Sequence, residues 1–95
     1  MALYRDKQGN KLYPVCSWEK NQHKLYNALD RAHNRLYDAM ENNNAELLEI
    51  AEDEIELIEQ ALYAFDRFVV EGIVYAKWAD ACLIKDYIAA YNARH

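Results

Sequence analysis

From residue 17 onward, apolar side chains recur at helical spacing along most of the chain. Trp18, Leu25, Leu29, Ala32, Leu36 and Met40 fall on one side of a helix, with Tyr26, His33 and Tyr37 on its flank. Lys20, Lys24, Arg31 and Arg35 gather on the opposite side. Ser17 is a favourable N-cap, so the pattern predicts a first helix over residues 17–42. Asn42-Asn43-Asn44 makes a turn, and Asn43 with Glu46 three positions on resembles a capping box.

The next run keeps the same 3-4 spacing through Leu48, Ala51, Ile55, Ile58, Leu62, Phe65 and Val69. Leu47, Ile50, Leu57, Ala61 and Phe68 widen the stripe beyond what a two-stranded seam needs. This predicts a second helix over 44–71, ended by Gly72 in a left-handed conformation. The alternative is one continuous rod through Gly72. The β-branched pairs Val69-Val70 and Ile73-Val74 on either side weigh against it. A third helix then spans 73–93.

Ahead of the helices, Leu3-Tyr4-Arg5 and Lys11-Leu12-Tyr13 flank a turn in which Gly9 and Asn10 tolerate positive φ. Residues 1–16 therefore read as a β-hairpin and lead-in, its second strand stopped by Pro14. The expected fold is mainly α, in a single domain over 1–95. It is a three-helix antiparallel bundle, made of a long helical hairpin and a third helix, with a small N-terminal β-hairpin. Two glycines and one proline are too few for the many turns of a sandwich or barrel.

Charge sharpens this picture. The net charge is −5, yet residues 41–66 carry nine acidic and no basic side chains. Glu46, Glu49, Glu52, Asp53, Glu56 and Glu59 form a candidate face for a basic protein partner. Nucleic-acid binding is not expected, because the basic residues of helix 1 accompany no known reading motif. The apolar run from Val69 to Tyr91 is long enough to cross a bilayer, but Glu71, Lys77, Asp80, Lys85 and Asp86 interrupt it, so no membrane span is expected. Met1-Ala2-Leu3-Tyr4-Arg5 lacks an apolar signal core. Cys16 and Cys82 form no CxxC pair, so reduced thiols in a cytoplasmic protein are expected.

Two charged residues fall where apolar ones are expected: Glu54 in the stripe of helix 2, and Lys77 in that of helix 3. A buried ion needs a partner. The candidate buried polar group is therefore Glu54 with Lys77, His33 or tyrosine hydroxyls. Asp30 and His33, and Glu19 and His23, have helical ligand spacing but lack the further carboxylates of a di-iron site. No metal, cofactor or catalytic constellation is expected.

Helix 3 also lacks a polar face. Tyr75, Ala76, Ala79, Cys82, Leu83, Ala89 and Ala90 lie opposite its main stripe, interrupted by Glu71 and Asp86. A helix that is apolar all round needs cover on more than one side, which makes this a candidate self-association face. The expected function is a non-enzymatic helical interaction module that forms a homo-oligomer, such as a homodimer, through helix 3. The alternatives are a small acidic inhibitor or immunity-type protein that docks a basic partner through helix 2, and a small pocket or enzyme centred on Glu54. The likeness to immunity proteins is one of size and charge alone.

Overall fold

A computed structural model describes residues 4–94. The order of elements is β1 (Tyr4–Arg5), β2 (Lys11–Ser17), α1 (Trp18–Glu41), α2 (Ala45–Arg67), β3 (Val69–Val70), β4 (Ile73–Ala76) and α3 (Trp78–Arg94). The chain is mainly helical, with three helices and an N-terminal strand pair, as the pattern predicts. The strands go further than expected: all four join one curled sheet in the order β1-β2-β4-β3, each neighbouring pair antiparallel.

The first hairpin pairs Tyr4 with Leu12 and Arg5 with Lys11, and Gly9 takes a φ of 87° in the turn. Leu3, expected in the first strand, lies outside the described residues. Pro14 does not stop β2, which continues to Ser17. Pro14 sits opposite Tyr75, beside a register shift between Pro14 and Cys16. It lies past the end of the two-residue β1, at the kind of irregular edge where a strand accepts proline.

Both long helices start as their caps require. The Lys20 N–H donates to Ser17 Oγ at 3.5 Å, and the Leu47 N–H donates to Asn44 Oδ1 at 3.1 Å. The cap of α2 is thus Asn44, not Asn43, which instead turns the chain at a φ of 52°.

The main correction lies between Phe68 and Lys77. Helix 2 ends at Arg67, and residues 69–76 form a second hairpin in place of the end of one helix and the start of another. Val70 pairs with Ile73 across a two-residue loop, with Glu71 at φ 52° and Gly72 at φ 78°. Positive φ at both positions defines the type I′ turn that matches strand twist. Gly72 is left-handed as expected, but in a hairpin and not at a helix end. Its carbonyl accepts from the Trp18 N–H at 2.8 Å, which ties this turn to the start of α1.

One apolar cluster joins every layer: Leu25 of α1, Ala61, Ala64 and Phe65 of α2, Val74 and Ala76 of β4, and Ala81 and Ile84 of α3. A smaller one holds Ala32 of α1 against Ile55 and Ile58 of α2. Trp18 seals the first, its indole N–H donating to Asp66 Oδ1 at 2.8 Å.

The third helix is short. Its 17 residues span about 26 Å, against about 36 Å for the 24 of α1. Its last turns come to rest on the early turns of α1. There Tyr91 packs edge-on to His23, with ring centres 5.3 Å apart, and Lys24 Nζ donates to Asn92 Oδ1 at 2.9 Å. The half of the helical pair near the Asn42–Asn44 turn is left without a third helix. The molecule is accordingly long and flat, 51 × 30 × 16 Å.

Candidate functional site

Glu54 projects from the middle of α2 and meets Arg35 of α1 in an ion pair. The two side chains are 33% and 44% exposed, so neither charge is stripped of water. The structure does not bring together the expected group of Glu54, Lys77 and His33. Lys77 is exposed in the joint between β4 and α3, outside any helix, so a helical wheel does not apply to it. His33 stacks on Tyr37 at 6.4 Å. Arg35 was hidden from the sequence reading because helix 1 presented it as one more residue of a solvated basic face.

Tyr87 of α3 lies beside this pair. Burial pushes its phenol pKa up, and the carboxylates of Glu54 and Asp86 add to the shift. The hollow around these groups is small, about 80 Å³, and is lined by Lys24, Arg31, Arg35 and Arg94 as well as Glu54. The Glu54 carboxylate there is paired with the Arg35 guanidinium.

The acidic face is where the sequence places it. Glu46, Glu49, Glu52, Asp53, Glu56 and Glu59 are all exposed, and none has a cation within ion-pairing distance among the described residues.

The expected face of helix 3 changes in composition. Tyr75 and Ala76 belong to β4, where Ala76 is buried in the core and Tyr75 packs edge-on to Tyr4 at 4.9 Å. Leu83 leans on the main cluster. Ala79, Cys82, Ala89 and Ala90 remain exposed on α3, joined by Trp78 at its start. Cys16 is half-buried in β2, and burial pushes its thiol pKa up; Cys82 is a free thiol at the surface.

A further surface was not legible as such. Leu47, Ile50 and Leu57 are 52%, 56% and 44% exposed. They share one side of α2 with the buried Ala61, Ala64 and Phe65. In the C-terminal half of α2 that side is covered by β4 and α3, while in the N-terminal half it is bare.

Among the described residues, no group of three or more His, Cys, Asp or Glu side chains is placed to hold a metal ion. No described helix is long and apolar enough to cross a membrane. No family model matches the chain, and no curated protein or solved structure is similar to it.

Proposed function

We propose that the protein is a non-enzymatic helical interaction module that pairs with a second copy of itself. In this reading α1 and α2 run antiparallel, as two positions of a bundle whose third is only half filled. A two-fold axis across the middle of the helical pair would set α3 of one copy over Leu47, Ile50 and Leu57 of the other. The observation that carries the reading is that these three side chains stay exposed on the same side of α2 that α3 covers further along. The exposed small residues of α3 (Ala79, Cys82, Ala89 and Ala90) supply the second half of the contact. Such a dimer would cover the exposed apolar side chains of α3, which Lys85 and Asp86 interrupt. Each surface meets its complement in the other copy, as closed two-fold symmetry demands. Free thiols at Cys16 and Cys82 fit a reducing, cytoplasmic setting.

Amide hydrogen exchange at high and low protein concentration tests this. Protection over residues 47–57 and 79–90 should fall on dilution, while that of β4 holds. Protection in both segments that does not depend on concentration overturns the reading.

The unpaired acidic face favours a second reading, in which α2 docks a basic protein partner. Affinity for such a partner should fall steeply between low and moderate salt, whereas apolar self-association should not.

A further inference from the structure

The self-association reading leaves unused a cleft of about 440 Å³ where the β1–β2 turn, the last turns of α2, β4 and the start of α3 meet. That volume lies in the range of small-molecule sites. Its floor is apolar, formed by the buried Leu12, Ala64 and Ala76. Tyr63 and Tyr75 also line it.

The charges around it are unequal in their commitments. Three cations line the cleft: Lys7, Arg67 and Lys77, all exposed. Among the described residues no carboxylate lies within ion-pairing distance of any of them, since the only such pair is Arg35 with Glu54. Arg67 instead donates to the Tyr63 hydroxyl and lies 5.1 Å from the centre of its ring, so cation and ring form one wall.

Two carboxylates, Asp6 and Asp80, also line the cleft, and that of Asp6 is already hydrogen-bonded. Asp6 accepts from the Gln8 and Asn10 N–H groups, both at 2.9 Å, and from Asn10 Nδ2 at 3.1 Å. These bonds, those from Asn10 foremost, hold its pKa below the usual carboxylate range, and the nearby charge of Lys77 adds to the shift. Asp80 stands in the first turn of α3, where its charge answers the backbone N–H groups of that turn.

We propose that this cleft binds a small planar aromatic anion, its ring against Tyr63 and Tyr75 and its carboxylate or phosphate against Lys7, Arg67 and Lys77. An apolar floor flanked by aromatic side chains takes the ring, and cations outside any ion pair take the anionic group. Neither half of the site suffices alone. A ligand that joins the two chemistries is therefore preferred to one that carries either by itself.

The test is a titration of the full chain, followed by amide chemical shifts, with benzoate and phenyl phosphate. Benzyl alcohol (a ring without charge) and inorganic phosphate (a charge without a ring) serve as controls. Saturable shifts are expected at residues 6–12, 60–68 and 75–80. At least one of the aryl anions should bind about tenfold or more tightly than either control, a difference of about 1.4 kcal/mol. Arg67→Gln and Lys77→Gln should each weaken that binding severalfold with the fold unchanged, since both side chains are exposed. Lys7→Gln, in the exposed turn, provides a third variant. Equal affinity for the aryl anions and the controls, shifts centred on residues 47–57, or unaltered binding in all three variants overturns the proposal. Shifts at 47–57 would place the ligand on the self-association surface, so the two readings fail separately.

Discussion

Replacing Glu71 with Asn should stabilise the protein, and the sign of that effect tests the least expected part of the fold. Glu71 and Gly72 are the central residues of the turn between β3 and β4, at φ 52° and 78°. For an L-residue other than Asn, Asp or Gly, the left-handed region costs about 1–2 kcal/mol. Asn-Gly is the favoured pair for a type I′ turn. The exchange should recover about half of that cost, 0.5–1 kcal/mol, which raises the melting temperature by roughly 2–8 °C in a chain of this size. Had helix 2 run through residue 71, Asn would replace a better helix former and lower stability by a few tenths of a kcal/mol. Gly72→Ala complements the test. A Cβ at Gly72 meets nothing within 4 Å, so the penalty is torsional alone, about 1 kcal/mol after the gain from a stiffer unfolded chain. In a continuous helix the same change would add up to ~1 kcal/mol of stability. Thermal unfolding by circular dichroism, with all variants at one protein concentration, reads both. A lowered melting temperature for Glu71→Asn together with a raised one for Gly72→Ala would refute the hairpin.

Three further outcomes follow from the packing and the titrating groups. Phe65 is fully buried where α2 meets β4 and α3, so Phe65→Ala should cost about 3–5 kcal/mol in urea unfolding. The Arg35–Glu54 pair is partly exposed, so Glu54→Leu should change stability by no more than ~1 kcal/mol; a loss of several would mean that the charge sits buried and fully desolvated. The raised pKa of Tyr87 favours its protonated form in the folded chain. Its contribution is whole below the usual tyrosine pKa of about 10 and is lost as the pH rises through the raised folded value. Between pH 9 and 11, Tyr87→Phe should therefore lose less stability than the parent chain.

The long helices were open to a reading of residues because their signals agree: apolar spacing, a Ser17 cap and an asparagine turn all point the same way. The stretch 69–76 was not, and the reason is physical. Val69, Ile73 and Val74 fit a helical stripe as well as they fit short strands, and a run this brief does not separate the two by period. The two β-branched pairs around Gly72 were in fact the strand signal. Once that stretch is a hairpin, Tyr75 and Ala76 leave helix 3 and Lys77 falls in a joint, so both site expectations that relied on a helix there change together. The exposure of Leu47, Ile50 and Leu57 lay beyond a periodicity argument, because it depends on how far α3 reaches over its neighbours. The acidic face needed no tertiary knowledge, since side chains opposite a buried stripe are exposed in any packing.

The proposed dimer requires a second copy to cover the bare half of α2. Its most direct test is the molar mass in solution, measured by light scattering across protein concentrations at low and high salt, for the parent chain and for Ile50→Asp. Twice the chain mass is expected for the parent at both salt levels, and a single chain mass, with helical content unchanged, for Ile50→Asp. A parent protein that stays monomeric at every concentration, or a variant that dimerises as well as the parent, would contradict it.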